Sequence, residues 1–347
     1  MPAAPYAQKK EERLFSVKKY NKALVFVAVS LALAATELLP AGRMPEKDMY
    51  TRMLMGTYVT IQLPRGSGKS YEGADLAFDR MKDIYEKFSV FRSGSQVNRL
   101  NSRGTPVNDR EIIGLTERSI GISVQSEGAF DITIFPVLRT WGFYGGEKKI
   151  PSEEELDRAV SLTGYEKVRI SEESMGFING GPGHGLDFGG IAKGYAVDEA
   201  ALILREQGIE DALIDAGGDI YAMGNNSGRY WRVGIRDPSG NGVVGVIEVS
   251  DEAVATSGGY ERYFEADGER HHHIFDPRTG YPASTGVASV TVRAPSAELA
   301  DAWSTAFFVM GAEAALEAAE EMEGIEALII TETGKISSTG GFSMLPY

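Results

Sequence analysis

The order of hydrophobic and polar positions along the chain predicts long helices set among short strands. Apolar residues recur at helical spacing over 70–89, 109–127, 190–208 and 295–310, which predicts four helices with a buried face. Alternating positions rich in β-branched and aromatic residues predict strands, the first of them over 54–63. Because strands and helices do not alternate regularly, the pattern favours an α+β fold over a doubly wound α/β fold.

Local signals refine three smaller segments. Ser152 and Glu155 form a capping-box pattern, which predicts a short helix over 151–164. The polar, glycine-containing stretch 91–108 predicts a loop. Residues 128–137 follow a predicted helix directly, and by themselves they indicate the start of a strand.

The amino terminus differs from the rest of the chain. Six lysines and arginines precede residue 23, and the following run Ala23–Ala35 carries no charge. A basic region before such a run is typical of a secretory signal, and an uncleaved membrane anchor is the alternative, although a full span needs roughly 20 residues. We therefore assign 1–44 to a signal or anchor and 45–347 to one catalytic domain, which is expected in the periplasm or on the extracytoplasmic face of the membrane.

The composition narrows the available chemistry. The 347 residues include no cysteine, which excludes disulfides, thiolate metal sites, a cysteine nucleophile and a cysteine-anchored lipoprotein. Any metal must be held by oxygen or imidazole, which favours Mg²⁺ or Ca²⁺ over softer ions. The net charge of −14 disfavours nucleic acid as a partner.

Two segments carry candidate groups for binding a metal and a phosphate. Asp301 and Thr305 are four residues apart on a predicted helix, so both point from one face and suit Mg²⁺. A solvated Asp301 beside a packed Thr305 is the alternative. In "LDFGGIAKGYA", Asp187, two glycines and Lys193 lie where a strand is expected to lead into a helix, which suits a phosphate. A plain tight turn is equally compatible with that stretch.

A third segment, "GAFDITIFPV", carries a candidate stacking group. Phe130 could stack on a heterocycle, and Asp131 could accept a hydrogen bond from it. An ordinary strand start with Phe130 in the core is the alternative.

The histidine run in "HHHIFDPRTG" suggests a metal site at first sight. Successive side chains of a strand alternate faces, so at most His271 and His273 share one. His184 is the only other histidine, and a zinc site would need a further ligand. We therefore disfavour zinc, and we expect His271 and His272 to face solvent while Asp276 opens a turn.

Seven motifs, taken in order, resemble the ApbE family of FAD:protein FMN transferases. They are "MGTYVTI", "GAFDITIFPV", "LDFGGIAKGYAVD", "IDAGGDIYAMG", "ATSGGYERYF", "HIFDPRTGYP" and "ADAWSTAFFVMG". Each motif is weak alone, but their order from the first strand to the last helix makes a strong joint signal. The resemblance implies a mixed, largely antiparallel α+β body with a deep cleft for FAD.

The resemblance also implies roles for individual residues. The FAD contacts would be Met55, Phe91, Ala129, Phe130, Asp131, Asp187, Lys193 and Phe275. The ligands of Mg²⁺ would be Gly190 through its carbonyl, Asp301, Ser304 and Thr305. His273 would be the catalytic histidine with Asp276 beside it. We expect His273, with a pKa near neutrality, to act as general base and Asp276 to orient it.

The chain departs from the family pattern at two of these positions and at the lipoprotein cysteine. Phe91 stands where some members have tyrosine, so stacking can survive but a hydroxyl contact cannot. Ser304 stands where some members have aspartate, and a neutral hydroxyl is the weaker metal ligand. Many members carry the lipoprotein cysteine that this chain lacks.

The implied reaction is Mg²⁺-dependent transfer of FMN from FAD to a threonine hydroxyl of a target protein, with release of AMP. The implied partner carries a threonine flavinylation motif, and we expect a membrane-bound or exported redox subunit. Two alternatives remain: an FAD pyrophosphatase, in which water replaces the threonine, and a non-enzymatic exported FAD carrier. The Asp301–Thr305 pair and His273 favour an enzyme, because simple binding does not require them.

Overall fold

The computed structural model describes residues 47–65, 70–171, 173–178, 183–240 and 242–346. The predicted signal or anchor over 1–44 lies outside these residues. Within the described ranges, no helix combines the length and the apolar character that crossing a membrane requires.

Eight α-helices are formed by the described residues. They are α1 (Ser70–Phe88), α2 (Gln96–Arg103), α3 (Arg110–Gln125), α4 (Phe135–Thr140), α5 (Glu153–Leu162), α6 (Ala192–Glu206), α7 (Ala297–Met310) and α8 (Ala312–Glu320). Short 3₁₀ helices span Ile132–Ile134 and Tyr165–Lys167. The capping box predicted at Ser152 and Glu155 is present at the start of α5.

Fifteen short strands accompany the helices in the same ranges. They are β1 (Lys47–Leu54), β2 (Thr57–Pro64), β3 (Val168–Ile170), β4 (Met175–Phe177), β5 (Ala212–Ala216), β6 (Ile220–Met223), β7 (Trp231–Arg236), β8 (Val243–Val249), β9 (Glu252–Gly258), β10 (Tyr263–Ala266), β11 (Glu269–His272), β12 (Val287–Ala294), β13 (Glu326–Thr331), β14 (Ile336–Ser338) and β15 (Leu345–Pro346).

The main sheet is antiparallel and has eight strands in the order β1-β2-β5-β6-β9-β12-β13-β14. A smaller sheet has the order β15-β8-β7, and β3–β4 and β10–β11 are separate hairpins. This arrangement of antiparallel sheets and packed helices confirms the predicted α+β class. The deep cleft for FAD stays a prediction.

Alternate residues of the main sheet face two different layers. In β13, Ala327 and Ile329 join the cluster formed with α1, α6 and α7, whereas Leu328 and Ile330 join the cluster formed with β7 and β8. This period of two follows from the pleat of a strand. The main sheet is therefore covered by helices on one face and by the smaller sheet on the other.

The contact between α6 and α7 is close and polar at one end. The carboxylate of Asp198 on α6 accepts hydrogen bonds from the backbone N–H groups of Ala297 (2.7 Å) and Glu298 (2.8 Å), at the start of α7. Gly194 on α6 lies so near the carbonyl of Ala297 that a Cβ there would overlap it. The helix that carries Asp301 is thereby held against the start of α6.

The strand predicted over 54–63 corresponds to β2, and the preceding strand β1 was not predicted. β1 ends at Leu54 and β2 begins at Thr57, while Met55 and Gly56 turn the chain with φ of 52° and 77°. Positive φ at both central residues is the geometry of a two-residue hairpin. Strand-forming residues continue across the turn, and Met55 is not the Asn or Gly that usually occupies the first position of such a turn. The turn was therefore not predicted from the sequence.

Two further predictions were wrong because short helices lie there. The expected loop 91–108 contains α2, in which Ser95 caps the first turn and Gly104 ends the helix with φ of 66°. Eight mostly polar residues give little periodicity to detect. The expected strand start at 128–137 is the first 3₁₀ helix followed by α4, and Pro136 suits the first turn of that helix. The stretch before α6 is likewise not a strand.

We expect Gly194→Ala to lower the free energy of unfolding by about 1–3 kcal/mol, the usual cost of overpacking. The added Cβ would overlap the carbonyl of Ala297 and push α6 and α7 apart. Urea denaturation measures this change. Gly121→Ala on α3 is the matched control, since a Cβ there meets nothing within 4 Å, and it should be neutral or stabilising by about 0.5–1 kcal/mol. Equal stability of the two variants would contradict the close packing.

Candidate active site

The candidate site lies where α6, α7 and β9 meet. The start of α6 and the residues before it provide Asp187, Gly190 and Lys193. The middle of α7 provides the predicted metal ligands, and β9 lies against α7. The β5–β6 connection reaches the same place through Asp219, which contacts Lys193. Residues from four separate parts of the chain therefore share one site.

Asp301 is buried at the centre of this site. The residue is 3% exposed, and its Oδ2 accepts a hydrogen bond from the backbone N–H of Gly194 at 3.1 Å. Burial, together with the neighbouring Asp219, raises the pKa of the Asp301 carboxyl to about 7. The alternative of a solvated Asp301 is therefore wrong, and the carboxylate lies where a cation would stabilise its charge.

Thr305 and Gly190 lie next to each other, and Thr305 follows Asp301 by about one turn of α7. A Cβ placed on Gly190 would lie 3.1 Å from Thr305 Oγ1 and 3.3 Å from the ring of Phe130. A larger residue at Gly190 would therefore crowd the Thr305 hydroxyl. The structure brings the Gly190 backbone, Thr305 and Phe130 together, although their sequence positions are far apart.

Ser304 faces a hydroxyl cluster. Its hydroxyl donates to the carbonyl of Asp301 at 2.9 Å and shares a 2.8 Å hydrogen bond with Ser257 on β9. The same Ser257 hydroxyl lies 3.2 Å from Thr305 Oγ1. Ser304 is already bonded on two sides, so its role as a metal ligand stays a prediction. Ser257 is part of this cluster and was missed: it lies in the "ATSGGYERYF" motif, but nothing local connects it to α7.

Lys193 lies between two buried carboxylates. Its ammonium pairs directly with Asp219 and lies 3.6 Å from Asp301 Oδ1. These carboxylates raise the pKa of Lys193 despite the opposing effect of burial. Lys193 therefore stays charged, at the first turn of α6, where its ammonium could also attract a phosphate. Asp219 was quoted within the "IDAGGDIYAMG" motif, but spacing alone did not connect it to Lys193.

Asp187 has an unsatisfied buried oxygen. Its Oδ1 accepts a hydrogen bond from the backbone N–H of Gly189, but Oδ2 has no hydrogen-bond partner among the described residues. Burial raises the pKa of this carboxyl to about 6, and the charge of Arg262 partly opposes the rise. A buried acceptor without a partner is costly, so a ligand that donates an N–H or O–H would satisfy it.

The "GAFD" residues form the wall next to Gly190. Ala129 and Phe130 are buried. Asp131 Oδ1 accepts hydrogen bonds from Thr133, and Oδ2 accepts one from the backbone of Tyr165 at 2.8 Å. Asp131 thus already ties two segments together. Its predicted contact with FAD stays a prediction.

Two predicted FAD contacts lie on turns, where Phe91 is exposed and Met55 is half-buried against the core. Phe91 is 63% exposed, and its ring lies 5.1 Å from that of Tyr144, which stacks on Phe135. Met55 occupies the β1–β2 turn, where the next residue, Gly56, approaches the guanidinium of Arg262. Tyr144 and Arg262 were both missed: Tyr144 lies in no recognisable local pattern, and Arg262 belongs to the "ATSGGYERYF" motif but was given no role.

Phe275 does not offer its ring to a ligand. The side chain is 3% exposed and packs on Trp141 and Phe143, with ring centroids 5.3 Å and 5.6 Å away. The ring belongs to a satellite cluster with α4 and α5. The ring of Phe275 is therefore part of the core, and its predicted contact with FAD, which stays a prediction, would have to use the backbone.

His273 lies next to Arg262, with a pKa far from neutrality. Both its backbone N–H and its ring Nδ1 lie within hydrogen-bond distance of the Arg262 carbonyl, at 3.0 Å and 3.2 Å. Burial and then the positive charge of Arg262 lower the pKa of the imidazole to about 3. The expectation of a near-neutral pKa is therefore wrong for the protein without its substrate.

The partner expected for His273 is engaged elsewhere. Both carboxylate oxygens of Asp276 accept hydrogen bonds from the guanidinium of Arg278, at 2.8 Å and 2.9 Å. The predicted turn is present, with the N–H of Gly280 bonded to the Asp276 carbonyl. Asp276 therefore shapes the turn and does not orient the imidazole, which the Arg262 carbonyl faces instead.

The other two histidines of the run are packed. The ring of His271 lies against Trp141 and Phe264, at 5.4 Å and 5.2 Å. His272 Nε2 lies 3.1 Å from the carbonyl of Ala283. The expectation that both face solvent is wrong, because β11 turns its side chains towards neighbouring aromatic rings and backbone.

The described residues contain no group of three or more His, Asp or Glu side chains arranged to hold a metal. The predicted metal ligands are one carboxylate, two hydroxyls and a backbone carbonyl, all of them hard oxygen donors. Mg²⁺ is commonly held by one or two carboxylates, with waters and substrate phosphates completing the shell. Asp301 has one oxygen left without a close hydrogen bond, so this donor set fits Mg²⁺.

Comparison with known proteins identifies relatives over most of the chain. The ApbE family model matches residues 55–329. An FAD:protein FMN transferase of Haemophilus influenzae is 32% identical over 349 residues, covering 95% of this chain and 99% of that protein. A Klebsiella pneumoniae protein of the same name is 32% identical over 294 residues, covering 83% and 90%.

Solved structures agree with this result. The ApbE protein of Thermotoga maritima superposes with a TM-score of 0.78 at 37% identity, covering 85% of this chain and 97% of that one. The flavin transferase ApbE of Vibrio cholerae gives a TM-score of 0.77 at 31% identity, covering 86% and 98%. With its motifs, its fold and its site in agreement, the chain belongs to the ApbE family.

Proposed function

We propose that this protein is an FAD:protein FMN transferase that moves FMN from FAD to a threonine hydroxyl of another protein and releases AMP. Membership of the ApbE family and the names of its relatives support flavin transfer. The observation that carries the proposal is the convergence of Asp301, Thr305 and Lys193 in one buried site. This combination suits a metal and a pyrophosphate together.

Asp301, Thr305 and the Gly190 carbonyl would hold Mg²⁺, with Ser304 next to them. When bound, Mg²⁺ would supply positive charge for the pyrophosphate oxygens of FAD. The protein's own positive groups act on the same oxygens. Lys193 binds the pyrophosphate, and it stabilises the charge that develops in the transition state.

The remaining groups orient FAD and move a proton. Asp187 Oδ2 accepts a hydrogen bond from a donor on the ligand, which satisfies the buried oxygen. The threonine oxygen attacks the FMN phosphorus, the bond to the AMP oxygen breaks, and AMP leaves. His273 takes the threonine proton. The negative pyrophosphate beside the imidazole would raise its pKa above the value in the free protein.

We also propose an extracytoplasmic location, with an acceptor that is a membrane-bound or exported redox subunit. The basic region followed by an uncharged run at 23–35 supports export. The absence of cysteine means that anchoring would rely on that segment and not on a lipid-modified cysteine.

The central test is incubation of the protein with FAD, Mg²⁺ and an acceptor protein that carries a threonine flavinylation motif. We expect one AMP released for each acceptor that gains the mass of one FMN, because the phosphoester replaces the pyrophosphate bond. Mass spectrometry and chromatography measure the two products. Free FMN and AMP without modified acceptor would indicate a pyrophosphatase, and tight FAD binding without AMP release would indicate a carrier.

We expect Asp301→Asn to lower AMP release by about a hundredfold or more, because the site loses its one metal-facing carboxylate and with it several kcal/mol of charge stabilisation. Rates measured over a range of Mg²⁺ concentrations should show a weakened dependence on the metal. Glu313→Gln on α8 is the control, since it makes the same chemical change at an exposed position. A variant with wild-type dependence on Mg²⁺ would remove Asp301 from the metal site.

We expect His273 to remain neutral in the ligand-free protein down to about pH 4, because its folded pKa is lowered to about 3. A lowered pKa means that the proton is lost above pH 3, so the basic form is present throughout the physiological range. Histidine NMR titration, assigned with His273→Ala, measures this. The same variant should lose about 10²–10⁴ in transfer rate. Titration near 6.5, or an unchanged rate, would contradict this account.

A further inference from the structure

We propose that Asp219 is a positioning residue that holds the Lys193 ammonium away from the carboxylate of Asp301, so that Asp301 remains open to a divalent cation. The proposal rests on the Mg²⁺ site of the proposed function and goes beyond it. Asp219 is not among the metal or FAD residues that the sequence suggested.

The distances distinguish the two carboxylates. Lys193 pairs directly with Asp219, which is 3% exposed. The ammonium lies 3.6 Å from Asp301 Oδ1, which is longer than a hydrogen bond between charged groups. Asp301 Oδ2 is bonded to the backbone N–H of Gly194. Oδ1 is therefore the oxygen whose availability depends on where Lys193 is held.

The backbone around Asp219 fixes its position. Gly217 and Gly218 have φ of 70° and 101°, which only glycine adopts readily. A Cβ on Gly217 would overlap the side chain of Thr57 on β2. Asp215 Oδ1 accepts a hydrogen bond from the N–H of Gly218 at 2.8 Å. The β5–β6 connection is thus held on both sides, and Asp219 is presented to Lys193 in one place.

The position of Asp219 next to Lys193 determines which carboxylate the ammonium pairs with. A partly buried ammonium requires a paired carboxylate, because leaving it unpaired is costly. Without the charge of Asp219, the next carboxylate within reach of Lys193 is Asp301. A direct Lys193–Asp301 ion pair would occupy Oδ1 and cancel the charge that attracts a cation. Asp219 prevents this by providing the stronger contact.

The test is a titration of Mn²⁺, a probe that takes the same oxygen ligands as Mg²⁺, into the protein without FAD, so that no pyrophosphate competes for Lys193. Calorimetry should show about tenfold weaker Mn²⁺ binding in Asp219→Asn, which is typical when a group behind a metal ligand is lost. The double variant Lys193→Met/Asp219→Asn should regain affinity to within about threefold of wild type, because the competing ammonium is gone. Continued weak binding in the double variant would make Asp219 a ligand itself and overturn the proposal.

Asp215→Asn is the matched control. Asp215 is a neighbouring acid whose pKa burial raises to about 6, but it bonds the backbone of Gly218 and makes no direct ion pair with Lys193. Its loss removes one charge from the same region and leaves the Lys193–Asp219 contact in place. A loss of Mn²⁺ affinity as large as that of Asp219→Asn would show that only total charge matters, and would overturn the proposal.

A second measurement does not depend on metal binding. The metal-free crystal structure of Asp219→Asn should show Lys193 Nζ within about 3.0 Å of Asp301 Oδ1, a hydrogen-bond distance. Asp219→Ala, which also removes the acceptor oxygen, should show the same shift. An unchanged 3.6 Å separation would overturn this proposal alone. Absence of Mn²⁺ binding by the wild-type protein would instead overturn the Mg²⁺ site on which it rests.

Discussion

The close contact between α6 and α7 is the constraint on which the site depends. Gly194 allows the two backbones to meet, and the Asp301 carboxylate accepts the N–H of that same glycine. Asp198 on α6 caps the N-terminus of α7 by accepting hydrogen bonds from its first backbone N–H groups. One packing contact therefore positions Asp301 from α7 against Lys193 from α6, and the site cannot form unless these helices pack.

The site contains buried carboxylates whose charges and lone pairs are not fully compensated by the protein. Burial raises the pKa values of Asp187 to about 6 and of Asp301 to about 7. One Asp187 oxygen has no partner within the described residues. Such groups are costly in a folded protein. Their cost is offset when a cation and a hydrogen-bond donor bind, which is consistent with a site built for a metal and a nucleotide.

Much of the fold could be anticipated from pattern alone, and the errors share one cause. Long helices such as α6 and α7 have enough residues for helical periodicity to show. The turn at Met55–Gly56 and the short helix α2 were missed, because two and eight residues carry too little pattern to detect. Some of the site residues taken from the motifs lie together, such as Lys193 with Asp301 and Gly190 with Thr305. Phe275 and Asp276 are instead engaged in packing and in an ion pair with Arg278.

The sequence by itself determined the α+β class, the absence of cysteine chemistry, the ApbE family motifs and the pairing of Asp301 with Thr305 on one helical face. These properties are local, since they follow from composition and from spacing within one element. Only the tertiary structure decided that Asp219 holds Lys193, that Ser257 joins Ser304 and Thr305, and that His273 lies beside Arg262. Those contacts join residues far apart in the chain, and burial sets the pKa values, so no local pattern contains them.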